Sequence, residues 1–154
     1  MMKKILLTVL TGILVIGVVP AFAQLEGNWK GTGDGVCSPP DGSADIPIYA
    51  WQSWEGVIYT SPDQEMPIFE GKWHDKQGNY GKFKGTILWI SEEEAYCEGS
   101  WTWFIVSPDE IKEYDMGKFE TYFVHFPVET PYCFGKWQTD YSPDVGSMKG
   151  RMVF

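Results

Sequence analysis

The sequence is poor in positive charge, in histidine and in cysteine. Its 154 residues hold 12 Lys and Arg against 21 Asp and Glu, and only 2 His and 3 Cys. The net charge of −9 argues against nucleic-acid binding through the phosphate backbone, which needs a surplus of cations. His74 and His125 have no metal-ligand spacing, and no nucleophile or phosphate-loop motif is present. The sequence therefore predicts no metal, no cofactor and no enzymatic activity.

Long apolar runs are also scarce, and the one at the amino terminus is typical of a secretory signal peptide. Lys3 and Lys4 precede an apolar stretch over residues 5–19, and Ala21-Phe22-Ala23 places small residues where signal peptidase reads them. About 15 apolar residues are fewer than the roughly 18 to 20 that span a bilayer, although an uncleaved anchor is the alternative. We expect a signal peptide over 1–23 and one domain over 24–154. The product would be exported and soluble, periplasmic or extracellular, with no membrane span after cleavage.

What the chain does contain is aromatic residues and glycine. Aromatic residues make up 16% of the chain, with 8 Trp and 17 Gly. The tripeptide Gly-x-Trp occurs four times, ending at Trp29, Trp73, Trp101 and Trp137. A second short element recurs downstream of the last three, as at 81–85, and residues 54–58 take its place in the first unit. These repeats predict four tandem β-hairpins, each a Trp strand, a turn and a returning strand.

Apolar and polar residues alternate along these segments with the period of a β-strand. The alternation gives eight strands near 25–32, 53–60, 66–74, 80–90, 95–106, 116–126, 131–139 and 146–154. Six tryptophans then face one core: Trp29, Trp54, Trp73, Trp89, Trp101 and Trp137. An even number of strands with short connections favours an all-β, eight-stranded antiparallel up-and-down barrel. A two-sheet β-sandwich is the alternative.

Two local features refine this prediction. The glycine two residues before each tryptophan is expected to leave room for an indole that lies across its strand. The segments Ser91-Glu92-Glu93-Glu94 and Ser107-Pro108-Asp109-Glu110 match a helix capping box. We therefore expect a short helical turn in each of those two connections.

Gly27-Asn28-Trp29 resembles the Gly-x-Trp signature that opens the first strand of calycins, the group of lipocalins, fatty-acid-binding proteins and avidins. In lipocalins an arginine near the last strand caps that tryptophan at the closed end of the barrel. Arg151, the only arginine, lies in the last predicted strand. The resemblance implies a calycin-like barrel. Two features depart from it: the tripeptide occurs four times, and alternation places Arg151 on the face opposite Met148 and Met152.

The inward aromatic residues have two interpretations. An eight-stranded barrel is near the size at which side chains either fill the interior or leave space for one small ligand. A pocket would take an apolar or aromatic small molecule and would be lined by Trp29, Trp73, Trp101, Trp137, Phe83, Phe119 and His125. We predict this small-molecule binding function. The alternative is a structural or interaction protein with a filled aromatic core.

The predicted outer face carries a patch of aromatic residues. Five of them point away from the core at the same end of strands five to seven: Tyr96, Tyr122, Phe126, Tyr132 and Phe134. Because adjacent strands lie about 4.8 Å apart, these side chains would form one surface. An exposed apolar patch often marks an interface, here with a second copy or another protein. A covering connection or a register slip would remove it.

Three cysteines leave one thiol over after any single disulfide. Cys97 and Cys133 hold equivalent inward positions with one strand between them. Their backbones would lie about 9.6 Å apart, beyond the roughly 7 Å limit for a disulfide. A disulfide from Cys37, in the long first connection, is therefore favoured.

Overall fold

The computed structural model describes residues 21–42 and 47–154. The expected signal peptide lies outside the described residues, apart from 21–23, which belong to a short 3₁₀ helix, Ala21–Gln24. Eight strands follow: β1 (Gly27–Asp34), β2 (Ser53–Tyr59), β3 (Ile68–His74), β4 (Tyr80–Ile90), β5 (Glu94–Val106), β6 (Ile111–Val124), β7 (Tyr132–Gln138) and β8 (Val145–Val153). Each strand pairs antiparallel with the next, and β8 pairs with β1. The predicted up-and-down barrel is confirmed.

The four predicted hairpins share one packing rule. In each hairpin the tryptophan of the first strand lies directly opposite a glycine of the second strand. The four pairs are Trp29 with Gly56, Trp73 with Gly81, Trp101 with Gly117, and Trp137 with Gly146. A large indole therefore lies beside a position without a side chain, so the repeated sequence elements define the strand register.

Three of the Gly-x-Trp glycines, Gly71, Gly99 and Gly135, have a different role from the predicted one, whereas nothing lies within 4 Å of a Cβ placed at Gly27. A Cβ at Gly71 would meet the carbonyl oxygen of Glu55 and lie 2.6 Å from the Cα of Gly56, which is opposite on β2. These glycines thus let neighbouring backbones approach closely. For two of the indoles, room comes from the opposite strand: a Cβ at Gly81 would lie 2.5 Å from Nε1 of Trp73, and a Cβ at Gly146 would clash with the ring of Trp137. Glycine does make room for these indoles, but it lies on the opposite strand and not two residues before the tryptophan.

A β-bulge in β4 changes the face on which Trp89 lies. Ile87 is opposite Cys97, and Trp89 is opposite the adjacent residue Tyr96, so Leu88 is an extra residue. One extra residue reverses the inward and outward alternation beyond it. Ile87 is fully buried, whereas Trp89 is 42% exposed. The prediction that Trp89 faces the core is wrong.

The two Ser-x-x-Glu segments form hairpin turns. Ser91 Oγ accepts a hydrogen bond from the backbone N–H of Glu94 at 3.1 Å, and Ser107 Oγ accepts one from Glu110 at 3.3 Å. The serine backbone N–H in turn donates to the carbonyl oxygen of the same glutamate. The predicted helical turns are wrong, because here the serine closes a β-turn. Within 21–42 and 47–154 no helix is long and apolar enough to cross a membrane.

Candidate functional site

The barrel interior is packed with aromatic side chains. We call the end at which β1 begins the top and the other end the bottom. Six of the predicted pocket residues are at most 2% exposed: Trp29, Trp73, Phe83, Trp101, Phe119 and Trp137. His125 is half-buried at the top, one residue beyond the end of β6, and its backbone N–H donates to the carbonyl oxygen of Glu93 at 2.8 Å. The structure therefore brings the six aromatic residues into one core and leaves His125 at its edge.

The residue that fills the middle of this core is Trp51, from the connection between β1 and β2. Its ring stacks on Phe83, with centroids 4.6 Å apart, and lies 5.1 Å from Phe119 and 6.4 Å from Trp101. Trp51 is fully buried and has a positive φ of 61°. Strand periodicity could not identify it, because it belongs to no strand. The only sequence signal is the apolar character of residues 48–51 within a polar connection.

Asp75 anchors the connection that carries Trp51. Asp75 is 5% exposed, and its carboxylate accepts hydrogen bonds from the backbone N–H groups of Gln77 and Asn79, at 3.0 and 2.8 Å. It also accepts from the side-chain amide of Asn79 at 2.8 Å and from the backbone N–H of Tyr49 at 3.2 Å. The hairpin between β3 and β4 is thereby joined to the segment just before Trp51. This contact closes the bottom of the barrel.

Indole N–H groups at the bottom are only partly satisfied. Trp73 donates to the carbonyl oxygen of Thr102 at 2.8 Å, and Trp101 donates to that of Gln138 at 3.0 Å. Among the described residues, the buried Nε1 atoms of Trp51, Trp103 and Trp137 have no hydrogen-bond partner. Unpaired buried donors cost free energy, so these three indole N–H groups destabilise the bottom half of the core.

All three cysteines are buried free thiols. Cys37 pairs through its backbone with Ile48 at the bottom, whereas Cys97 and Cys133 lie in the upper parts of β5 and β7. The predicted disulfide from Cys37 is therefore wrong: the long connection closes the bottom and does not reach the other two cysteines. Burial, with Asp144 and Asp75 nearby, raises the pKa of Cys37 to about 12. Burial also raises the pKa of Cys133 to about 12. Protonated buried thiols are poor nucleophiles.

The outer face of β4–β7 carries a continuous line of aromatic rings. We call Trp89, Tyr96, Tyr122 and Phe134 the aromatic row. They occupy one register line across four strands, with successive ring centroids 6.2, 5.1 and 5.7 Å apart. Trp89 and Phe134, at the two ends, are 42% and 48% exposed. Three strand spacings give the row a length of about 14 Å.

The predicted outer patch corresponds largely to this row. Tyr96, Tyr122 and Phe134 belong to it, and the ring of Tyr132 stacks beside Phe134 at 6.5 Å. Phe126 is half-buried beyond the end of β6 and makes no ring contact with another described residue. Trp89 was missed, because the bulge that turns it outward leaves no mark on the alternation.

A polar line runs beside the aromatic row, two residues along β5, β6 and β7 and three along β4, where the bulge adds one. Thr86, Glu98, Glu120 and Lys136 lie opposite one another and line a shallow depression of about 490 Å³. The hydroxyl of Tyr96 lies 3.1 Å from Oε2 of Glu120 and 3.2 Å from Oε2 of Glu98, to which it donates. Burial and these hydrogen bonds raise the pKa of Tyr96. The outer face thus combines aromatic surface with hydrogen-bonding groups.

Positive side chains continue the aromatic row onto β8 and β1. Lys149 lies opposite Phe134, and Arg151 lies opposite both Tyr132 and Lys30. We call Lys30, Lys149 and Arg151 the basic trio. All three are exposed, and none makes an ion pair with a residue in the described part of the chain.

The closed barrel of eight antiparallel strands is compatible with the calycin resemblance. Comparisons of the chain with protein-family models, curated proteins and solved structures found no match. Arg151 lies on the outer face, and the buried indole of Trp29 donates to the carbonyl oxygen of Leu25 at 3.0 Å. The strand number and closure are therefore compatible with a calycin-like barrel, while the arginine cap is not made.

Proposed function

We propose that the protein is an exported, non-catalytic binding protein that holds a saccharide chain on the aromatic row. The observation that carries the proposal is the row itself, four rings in one register line across β4–β7. Exposed aromatic side chains in a continuous patch are typical of a recognition surface. The packed interior favours a partner outside the barrel over a ligand within it.

The aromatic row and the polar line beside it together suit a sugar ring. An aromatic face carries negative partial charge, which attracts the slightly positive C–H groups on the face of a pyranose. Hydroxyl groups at the rim of that pyranose need donors and acceptors. Glu98, Glu120 and Lys136 offer both, about 6.8 Å along the strands from the rings. A wholly apolar partner would exclude water from these charged groups, whose contacts with Tyr96 and with each other satisfy only part of their hydrogen-bonding capacity.

A second copy of the chain fits this surface less well. Stable homodimers bury a largely apolar interface whose core is depleted in charged residues. Here Glu98 and Glu120 adjoin the row on one side and Lys149 on another. Each copy also carries a net charge of −9, so two copies repel at long range.

A ligand inside the barrel is the second candidate, and one observation favours it. Trp51 is a non-glycine residue with a φ of 61°, and its buried Nε1 has no described partner. Both features make its buried position costly. Withdrawal of Trp51 would open space between Phe83 and Phe119 for a flat apolar molecule. Saturable quenching of tryptophan fluorescence by an added apolar dye would support this candidate.

Affinity electrophoresis through gels with embedded polysaccharides tests the saccharide proposal. We expect retardation of the wild-type protein in at least one gel. The double variant Trp89→Ala, Phe134→Ala should bind at least about tenfold more weakly, a loss of about 1.4 kcal/mol. The matched control is Tyr80→Ala, which removes an exposed ring stacked on Phe104 at the bottom of β4 and should bind normally.

Two outcomes would overturn the saccharide proposal. One is wild-type migration of the double variant in every gel that retards the wild-type protein. The other is a lower solution mass of the double variant in sedimentation, with folding intact. That result would assign the aromatic row to a contact between copies.

A further inference from the structure

We infer that the saccharide is acidic: a polyuronide whose carboxylates bind the basic trio while its sugar rings lie on the aromatic row. This inference rests on the proposed function and names its substrate class. The defining juxtaposition is that of Phe134 and Tyr132 with Lys149 and Arg151, directly opposite them on β8.

The basic trio is compact and adjoins the end of the row. Directly opposite residues of antiparallel strands have Cβ atoms about 4.5 to 5.5 Å apart. Lys149 lies directly opposite Phe134, and Arg151 lies directly opposite both Tyr132 and Lys30. Lys149 and Arg151 lie two residues apart on one face of β8, about 6.8 Å along the strand. A chain that crosses the aromatic row therefore meets three cations at its end.

This cluster of three cations is electrostatically unfavourable within the fold. Like charges directly opposite one another on a sheet are destabilising, and Arg151 faces Lys30 in that way. The ion pairs in the described part of the chain use Lys112 and Lys136 instead. Glu55 lies opposite Lys30 on its other side without forming an ion pair. An anionic ligand would relieve the repulsion within the trio.

Guanidinium chemistry favours a carboxylate as that ligand. Arg151 is the only arginine of the chain, and its planar fork of donors binds a carboxylate through two parallel hydrogen bonds. The two lysines beside it act as point charges. A polymer with one carboxylate on each sugar can supply partners to all three cations while its rings stack.

The charge distribution over the barrel also suits an anionic chain that runs across the strands. The eight strands hold nine of the lysines and arginines and only eight of the 21 acidic residues. Most of the acidic residues therefore lie in the segments outside the strands. A polyanion meets a nearly neutral wall with a cationic end, whereas the connections repel it.

The test compares two forms of one polymer, polygalacturonate and its methyl ester, by isothermal titration with the intact protein. The two have the same sugar backbone, and esterification replaces each carboxylate by an uncharged methyl ester. We expect polygalacturonate to bind at least about tenfold more tightly, with affinity that falls as salt rises, because exposed ion pairs are screened. Lys149→Gln combined with Arg151→Gln should abolish this preference, so that the double variant binds both polymers with similar affinity.

A matched variant controls for simple loss of charge. Lys72→Gln with Lys82→Gln also removes two exposed cations that lie opposite one another, here on β3 and β4. This control should keep the preference for polygalacturonate. An equal loss in both double variants would overturn the inference, because it would show general electrostatic attraction without a site.

The remaining outcomes separate this inference from the function on which it rests. Equal affinity for both polymers, still lost on Trp89→Ala with Phe134→Ala, would reject the acidic substrate and keep the saccharide surface. Failure of both polymers would reject the inference. If no other polysaccharide depended on the aromatic row in gels, the proposed function would fail with it.

Discussion

Trp51 stacks on Phe83 inside the barrel, with ring centroids 4.6 Å apart and ring planes 25° from parallel. Phe83 belongs to β4, whereas Trp51 comes from the connection between β1 and β2. Strand side chains line the wall of a barrel, and here a residue from outside the strands fills its centre. Interior packing is thus completed by a long connection, which makes that connection part of the core.

Removal of the Trp51 side chain should therefore destabilise the folded protein strongly. We predict that Trp51→Ala lowers the free energy of unfolding by about 3 to 5 kcal/mol, as for large aromatic residues in other cores. Trp89→Ala, which removes an exposed indole, should cost less than about 1 kcal/mol. Urea unfolding followed by far-UV circular dichroism measures both. Wild-type stability of Trp51→Ala would contradict the packing described.

The backbone at Trp51 gives a second prediction at the same position. A φ of 61° costs an L-residue roughly 1 to 2 kcal/mol, whereas glycine adopts it freely. Trp51→Gly and Trp51→Ala leave nearly the same cavity, so their difference isolates the backbone term. We expect Trp51→Gly to be more stable than Trp51→Ala by about 1 kcal/mol in the same urea experiment. The reverse order would show that this φ is not strained.

Much of the wall could be predicted from the sequence, because tryptophan and glycine recur at fixed places in each hairpin. Trp73 and Trp101 lie in the predicted strands, and the four predicted hairpins are those of the barrel. Three of the four rings of the aromatic row also follow from alternation, since no bulge separates Tyr96 from its predicted face. Periodic local features were therefore predictable.

The remaining features arise where the periodic pattern of the strands gives no information. Trp89 turns outward because Leu88 is an extra residue in β4, and one inserted residue looks like ordinary sequence. Trp51 enters the core through a connection, where no repeat indicates which side chain points inward. The basic trio arises because the barrel closes: pairing of β8 with β1 brings Arg151 beside Lys30, which are 121 positions apart in the numbering.

The absence of a side chain at Gly81, opposite Trp73, should be essential for packing. A Cβ at Gly81 would meet the carbonyl oxygen of Thr102 and lie 2.5 Å from Nε1 of Trp73, between a donor and its acceptor. We predict that Gly81→Ala costs about 2 to 3 kcal/mol. Gly78→Ala is the control, since its φ is 91° but no atom lies within 4 Å, and it should cost about 1 kcal/mol from backbone strain alone. Equal costs would contradict the steric role of Gly81.

The three thiols should be unreactive until the protein unfolds. Burial raises the pKa values of Cys37 and Cys133 to about 12, and burial also raises that of Cys97. At pH 8 we expect no reaction of native protein with a disulfide reagent such as DTNB, and three thiols in guanidinium without reductant. A count of one after unfolding would reveal a disulfide. Rapid reaction of the native protein would contradict the burial of these side chains.

The hydroxyl of Tyr96 should ionise only at high pH, and the free energy of unfolding should fall as it does. Burial, then hydrogen bonds to Glu120 and Glu98, raise its pKa, because the neutral phenol donates and a phenolate would face two carboxylates. The folded protein therefore holds this proton more tightly than the unfolded chain does. Its contribution to stability is fully present below the unfolded pKa of about 10 and is lost as pH rises through the folded value. Urea unfolding above pH 10 should thus show a steeper fall in stability for wild type than for Tyr96→Phe. Glu120→Gln should reduce the difference, and parallel curves for wild type and Tyr96→Phe would contradict it.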